Sequence, residues 1–243
     1  MSVFLNHSLK PKLFVFDSIK FSDIETSSSP SLIQTSGLMY DADINFEFSN
    51  LTFTDIFFTS SGNLFNLGHF MTNRIIIRDS TFSNLTSAHI QIGDGSSQLG
   101  TLKSKVKIMD SQFSDIYSGK SSFILANTNA DAEITNCSFS QMITLGNGAV
   151  LTAGSTNAQV FISDSTFTDN SAVEGSTFSI ESQSLVRCTN CNISNNFAVS
   201  SGVARIETSG YFEFYSSTIS NNFAMNYLIS VLLDSVNVSL FNH

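Results

Sequence analysis

The stretch Asp79-Ser80-Thr81-Phe82-Ser83-Asn84 recurs with small changes along the whole 243-residue chain. Its central apolar residue is found eight times, at intervals of 32, 29, 31, 26, 28, 26 and 26 residues. The eight central residues are Phe21, Phe53, Phe82, Phe113, Phe139, Phe167, Ile193 and Ile219. A period of this length predicts a solenoid, in which each repeat is one turn stacked on its neighbours.

Polar residues flank the central residue at fixed positions. The next residue is Ser or Thr in every repeat, and the positions two after and three before the centre carry mainly Asp or Asn. Such residues bond their own backbone in turns, so we predict corners of the chain at these positions. The column two after the centre is Asp23, Asp55, Asn84, Asp115, Gln141, Asp169, Asn195 and Asn221. The column three before it is Ser18, Asn50, Asp79, Asp110, Asn136, Asp164, Asn190 and Ser216.

Apolar residues precede each centre by five and by seven positions, as Ile75 and Ile77 do before Phe82. This period of two predicts a strand with one buried face. A second apolar run follows each centre by roughly ten residues, as in Ala149-Val150-Leu151. We therefore predict an all-β fold: one right-handed parallel β-helix of about eight coils, with about three short strands per coil.

Composition agrees with strands and limits the partners. Only 13% of residues are charged, whereas there are 23 Phe and two Pro. The net charge of −9 opposes nucleic acid as a partner. No apolar run is long enough for a transmembrane helix. Residues 1–16 lack the pattern of a secretory signal. The period runs throughout, so residues 1–243 are expected to form one domain.

The last three coils carry a short motif, Phe167-Thr-Asp-Asn170, Ile193-Ser-Asn-Asn196 and Ile219-Ser-Asn-Asn222, each followed by an alanine two positions later. A stretch of small residues occurs at Gly148-Ala149-Val150. This pattern resembles the FxxN and GGAI-like repeats of polymorphic outer membrane proteins, within the pectin lyase-like β-helix superfamily. The resemblance implies a surface-exposed, passenger-like β-helix associated with adhesion, without that family's translocating barrel.

The acidic columns contain candidate calcium ligands. Asp23 and Asp55 are expected on adjacent coils, as are Asp79 and Asp110, and stacked carboxylates repel one another unless a cation or proton relieves them. The alternative, which we favour, is that Asp and Asn alternate along each column and bond to turn amides and to each other. Calcium is therefore a weak cofactor candidate, and no other cofactor is expected.

A catalytic constellation is not evident in the sequence. Carbohydrate-active β-helices need a carboxylate cluster for calcium with a basic group, or paired acid and base carboxylates. There is no Asp-Asp pair, and the four histidines, His7, His69, His89 and His243, are scattered. Gly68-His69-Phe70 and Arg74 superficially match the surroundings of a hydrolase site but lack such carboxylates. A polysaccharide lyase or glycoside hydrolase stays as the alternative function.

Two outward surfaces suggest other ligands. Lys103, Lys105 and Lys107 share one face, where an anion could bind, but Lys107 should face Glu133 and Lys105 should face Asp131. Ion pairs between strands explain these lysines without a ligand. Hydroxyl pairs beside the centres suggest an ice-binding array, a third function. These pairs are Thr52 and Thr54, Thr81 and Ser83, Ser138 and Ser140, Thr166 and Thr168, and Thr218 and Ser220.

The three cysteines do not predict a disulfide framework. Cys188 falls in an inward column and is expected to be a buried thiol. Cys137 and Cys191 share a column but lie two coils apart, roughly 10 Å at the stacking interval, which is beyond disulfide reach. Cys188 and Cys191 form a lone CxxC, too little for a zinc site.

Both ends of the chain resemble ordinary coils, because Leu13–Phe16 and Val236–Phe241 read as inward-facing strand segments. We therefore expect a segment of a longer solenoid, or ends that stack on another chain. The preferred function is a non-catalytic structural or adhesive module that binds a protein or glycan over one face. If the N-terminus is incomplete, we expect a cell-surface or extracellular location.

Overall fold

A computed structural model describes residues 12–26, 31–34, 44–67, 74–93, 104–207, 209–232 and 237–241 of the chain. These residues form strands, turns and bends, and no helix occurs among them. All strand pairings between them are parallel, so the predicted parallel β-solenoid is confirmed. The right hand of the coil stays a prediction. No described residue belongs to a helix that could cross a membrane.

The first face of the solenoid is a nine-stranded parallel sheet, called sheet A here. One strand of each turn contributes to it, and its alternating residues point inward as the period of two predicts. The strands are β1 (Lys12–Asp17), β4 (Ile44–Ser49), β6 (Arg74–Arg78), β8 (Ser104–Met109), β11 (Ala130–Thr135), β14 (Gln159–Ser163), β18 (Leu185–Thr189), β22 (Tyr211–Tyr215) and β26 (Asn237–Phe241).

The second face carries the eight central residues of the repeated stretch. Each central residue pairs with the next in one continuous ladder, so the column alignment made from the sequence is confirmed. The strands are β2 (Lys20–Thr26), β5 (Thr52–Leu67), β7 (Thr81–Ile92), β9 (Gln112–Tyr117), β12 (Ser138–Ile143), β15 (Thr166–Thr168), β19 (Asn192–Ser194) and β23 (Thr218–Ser220).

The third face follows a further corner and matches the second apolar run of each repeat. Its strands are β3 (Ser31–Gln34), β10 (Ile124–Ala126), β13 (Leu151–Ala153), β17 (Phe178–Ile180), β21 (Ser201–Glu207) and β25 (Tyr227–Leu232). Three two-residue strands lie before the corner, namely β16 (Ser171–Ala172), β20 (Phe197–Ala198) and β24 (Phe223–Ala224). The long strands β5 and β7 run round this corner and join the second and third faces into one 17-stranded sheet.

Phenylalanine rings form the centre of the core. Neighbouring central rings from Phe21 to Phe167 stack with centroids 4.6 to 5.0 Å apart and planes within 13° of parallel. The central residue is fully buried at six levels, Phe53 to Ile193, whereas Phe21 and Ile219 are partly exposed. The solenoid thus has about six turns with a closed core, against the eight expected, because the first and last levels pack against a described neighbour on one side only.

Corners on both sides of the second face require left-handed backbone. Every residue in the two Asp/Asn columns has a positive φ, between 48° and 57°. Asn and Asp tolerate this conformation better than other residues with a side chain. The columns therefore exist because the chain must turn at these positions, as the sequence analysis predicted.

Candidate functional site

The acidic columns are tied by side-chain hydrogen bonds between adjacent turns. The amide nitrogen of Asn136 donates to Asp110 at 2.7 Å, and that of Asn84 donates to Asp55 at 2.5 Å. At the first level, Ser49, Asn50 and Ser18 donate to Asp17 and lower the pKa of its carboxyl below the usual value. The favoured interpretation, in which Asp and Asn alternate and bond each other, is confirmed for these pairs.

The candidate calcium ligands differ in the hydrogen-bond or ion-pair partners that the protein gives them. Asp55 accepts hydrogen bonds from Asn84 and Thr54, Asp110 accepts one from Asn136, and Asp79 forms an ion pair with Arg78 at 2.6 Å. Asp23 lies on the level below Asp55. Over the described ranges, no three His, Cys, Asp or Glu side chains are grouped closely enough to hold a metal ion. Calcium binding at these residues stays a hypothesis.

The asparagine of the FxxN motif is a buried structural element. The side-chain nitrogen of Asn170 donates to the carbonyl oxygen of Phe139, while its side-chain oxygen accepts from the Met142 backbone amide at 3.0 Å. Asn196 and Asn222 repeat the pattern one and two turns later. Because both ends of each amide bond buried backbone groups, the motif secures the corner and does not bind a ligand there.

The small-residue stretch has a backbone cause as well. Gly148 has a φ of +60°, and an added Cβ would lie 2.6 Å from both the Leu151 carbonyl oxygen and the Ser179 nitrogen. Gly175 occupies the same place one turn later, with a φ of +59°. Both features of the resemblance, the FxxN motif and the small residues, therefore carry information about fold.

Cysteine replaces serine in one corner column. Ser111 and Ser165 each accept a backbone N–H bond and donate to the carbonyl two residues before them. Cys137 takes this place, its thiol lying 3.3 Å from the Thr135 carbonyl oxygen, and burial raises its pKa to about 12. All three cysteines are free and buried, and burial raises the pKa of Cys188, which confirms it as a core thiol.

Charged residues on the outer side of sheet A mostly pair across turns. Lys107 contacts Glu133 at 3.2 Å, as predicted. Arg187 contacts Glu213 at 2.6 Å and lies over the rings of Phe161 and Tyr215. Lys105 stands opposite Asp131 in register, but the described part of the chain contains no ion pair between them. Arg74, Lys105, Lys107, Asp131 and Glu133 line a groove of about 340 Å³ of mixed charge.

The hydroxyl residues form two columns on the second face. Ser22, Thr54, Ser83, Ser114, Ser140, Thr168, Ser194 and Ser220 lie in register, one per level. The parallel column on the other side of the centre is interrupted by Lys20, Gln112 and Asn192. This geometry matches the array on which the ice-binding hypothesis depends, and ice binding stays a prediction.

Histidine takes no part in a catalytic group among the described residues. His89 is buried, and its Nδ1 lies 2.8 Å from the carbonyl oxygen of Ser122. A carbonyl only accepts, so Nδ1 donates to it, and burial lowers the pKa of the imidazole. The other three histidines and Lys103 lie outside the described residues.

A cluster of three glutamates around Arg205 was not predicted from the sequence. The guanidinium lies 2.5 Å from Glu174, 3.6 Å from Glu181 and in contact with Glu207. The arginine side chain is largely buried, while each glutamate is about one quarter to one third exposed. Glu181 and Glu207 follow Ile180 and Ile206, which lie in register one turn apart, whereas Glu174 comes from the corner between the second and third faces. The 26-residue spacing of Glu181 and Glu207 is the signal that could have brought two of the three together.

A second unpredicted feature is a band of exposed apolar side chains at the corner between the second and third faces. Each of its members exposes between 39 and 71% of its surface. We call this band the apolar stripe, and it consists of Ile143, Leu145, Val173, Phe197, Val199, Phe223 and Met225. Pairing of Ser171 with Ile143 and Phe197, and of Phe197 with Phe223, places the stripe on four successive levels.

A repeated signal in the sequence marks the stripe. Phe197-Ala-Val199 and Phe223-Ala-Met225 have a small residue between two larger apolar ones, and the alanine is the one that faces inward. The Phe197 and Phe223 rings stack outside the core at 5.5 Å with planes 5° from parallel. Contiguous exposed apolar surface of this kind marks interaction sites on soluble proteins.

Comparison with known proteins identifies no relative of this chain. No family model matches the chain, and neither a curated protein nor a solved structure is significantly similar to it.

Proposed function

We propose that this chain is a non-catalytic structural or adhesive module and that the apolar stripe is its binding face. The stripe is the observation that carries the proposal, since seven exposed apolar side chains lie in register along a rigid edge. The repeated motif residues stabilise the corners and the core, and the stripe consists of other residues that are free to contact a ligand. The resemblance to polymorphic outer membrane protein repeats also favours adhesion.

A cell-surface or extracellular location belongs to the same proposal. Six N-glycosylation sequons occur in the chain. The sequon at Asn192 lies on an exposed strand of the second face, whereas the amides of Asn50, Asn84 and Asn136 bond aspartates in the ladders. In mass spectrometry of protein from its native source, we expect Asn192 to be the most fully glycosylated of the six sequons. If none of the sequons carries a glycan, the result would count against secretion.

Adhesion is tested by binding the purified chain to a panel of immobilised extracellular proteins and of neutral and acidic glycans. The double variant Phe197→Thr/Phe223→Thr removes the stacked rings while keeping strand-forming residues. Tyr211→Thr is the matched control, because Tyr211 is an exposed aromatic residue on the outer side of sheet A, away from the stripe. We expect the wild type and the control to bind and the double variant to fail. Equal binding by all three would refute the role of the stripe.

A carbohydrate-processing enzyme is the second candidate, supported by the cluster at Arg205. Glu174 and Glu181 both approach one guanidinium and remain partly accessible, so an ionised carboxylate is available there as a base. Incubation with acidic polysaccharides would then release unsaturated products or reducing ends. Activity that disappears in Glu181→Gln would favour this candidate, and a complete lack of products would remove it.

A further inference from the structure

We propose that the apolar stripe is covered by a second copy of this chain, so that the protein forms a side-by-side dimer. This inference rests on the proposed binding role of the stripe and names its partner. The stripe runs parallel to the solenoid axis, and its four levels span about 14 Å at the spacing of parallel strands. A two-fold axis through its middle would place each stripe against the other, as in an isologous interface.

The polar residues that border the stripe are complementary to the same residues on a second copy of the chain. Two residues before the stripe, the exposed positions on successive levels are Gln141, Asp169, Asn195 and Asn221. Three of these four are amides, which donate and accept hydrogen bonds equally and so are complementary to their own kind. A rim of carboxylates would instead repel an identical surface, which matters for a chain with a net charge of −9.

The stripe and its rim have the arrangement of polarity found in ordinary interfaces. Stable interfaces bury about 800 Å² on each partner, with an apolar centre and a polar rim. The seven stripe side chains supply the centre, and the amides and neighbouring corner residues supply the rim. The stacked rings of Phe197 and Phe223 occupy the last two of the four levels, and aromatic residues of this kind are frequent hot spots.

A membrane is a less suitable occupant. Surfaces that lie on membranes combine apolar residues with Lys or Arg that attract anionic lipid. The rim beside the stripe carries amides, Asp169 and Glu174, the arginine that pairs with Glu174 is largely buried, and the chain is acidic overall. The charge pattern therefore favours a protein surface over a lipid surface.

The test is sedimentation velocity with light scattering over about a hundredfold range of protein concentration. We expect a species of twice the 26.5 kDa chain mass that dissociates on dilution. In Phe197→Thr/Phe223→Thr, loss of both hot-spot rings should raise the dissociation constant by about 100-fold or more. Tyr211→Thr, on the outer side of sheet A, should leave it unchanged, and circular dichroism would verify the fold of each variant.

Two outcomes would overturn the dimer: a wild type that stays monomeric throughout, or a double variant that dimerises as the wild type does. Sedimentation of monomeric wild type with phosphatidylcholine vesicles would likewise overturn it in favour of a lipid. A monomer that still adheres to immobilised ligands through the stripe would sink the dimer and spare the proposed function. A dimer that adheres to none of these ligands would overturn the proposed adhesive function and leave the dimer standing.

Discussion

The side-chain nitrogen of Asn196 donates a hydrogen bond to the carbonyl oxygen of Phe167, which lies 3.0 Å away on the preceding turn. The side-chain oxygen of Asn196 accepts from the backbone amide of Asn170. One buried amide thus satisfies two backbone groups of neighbouring strands. Asn196 belongs to the FxxN motif, which resembles repeats of surface proteins, yet its side chain is part of the interior.

Replacing Asn196 with Ala should therefore destabilise the solenoid strongly. The Phe167 carbonyl and the Asn170 amide would both lose a partner in the buried corner. A buried polar group without a partner costs about 1–3 kcal/mol, so we expect a loss of about 2–4 kcal/mol in the free energy of unfolding. Urea unfolding measures this loss. Asn192→Ala, at an exposed strand position, should change stability by less than about 0.5 kcal/mol.

Gln141→Asn should stabilise the chain. Gln141 has a φ of +54° in a column otherwise made of Asp and Asn, and Asn adopts this conformation at lower cost. We expect a gain of about 0.5 kcal/mol in the free energy of unfolding. The same change at Gln112, an exposed strand residue, should give no gain. A stabilising effect at both positions would show that the backbone conformation is not the cause.

Serine should be accepted in place of Cys137 and rejected in place of Cys188. Cys137 stands in a column of serines that bond the backbone, so Cys137→Ser should change stability by no more than about 1 kcal/mol. Cys188 is fully buried in the core beside the Cys191 thiol, so the more polar serine should cost about 1–3 kcal/mol. Thermal unfolding of the two variants compares them directly. Equal losses would contradict the assignment of the two thiols.

The stability of the chain should fall as the pH drops below about 6.5, the ordinary pKa of histidine. Burial lowers the pKa of His89 in the folded state, so the unfolded chain binds the proton first. The contribution of neutral His89 to the free energy of unfolding is fully present above the pKa of the unfolded state. Below that pKa it is lost at up to about 1.4 kcal/mol per pH unit, until the pH reaches the lower pKa of the folded state. Urea unfolding at several pH values measures this slope, and His89→Gln should remove it. An unchanged slope in the variant would assign the effect to another group.

Calcium should produce no heat in isothermal titration and no shift in melting temperature. Asp55, Asp79 and Asp110 already have hydrogen-bond or ion-pair partners, which a metal ion would have to displace. A rise in melting temperature that is lost in Asp23→Asn/Asp55→Asn would support the calcium ladder instead.

The sequence predicted the core and the corners well because both repeat in every turn. The inward positions of Phe82 and Ile77 follow from a period of two, and the turn at Asp79 follows from residue type. The apolar stripe could not be predicted in the same way. Whether Phe197 points inward or outward depends on the left-handed corner at Asn195 just before it, and this corner shifts the alternation.

The cluster at Arg205 escaped prediction for a different reason. Glu181 and Glu207 lie one 26-residue repeat apart beside Arg205, just after paired isoleucines of the third face, a face whose residues the sequence columns around the centre do not include. Glu174 reaches the same guanidinium from the corner between the second and third faces, and this contact depends on the path of that corner.

The unequal turn lengths have a practical consequence. The central ladder keeps its register although the repeats differ in length by up to six residues. In the longer repeats the additional residues fall between the third face and the next strand of sheet A. The fold thus accommodates connections of different length at that edge. Peptide tags or epitopes grafted between β7 and β8 would be displayed at a chosen height along a scaffold whose strand pairing is left undisturbed.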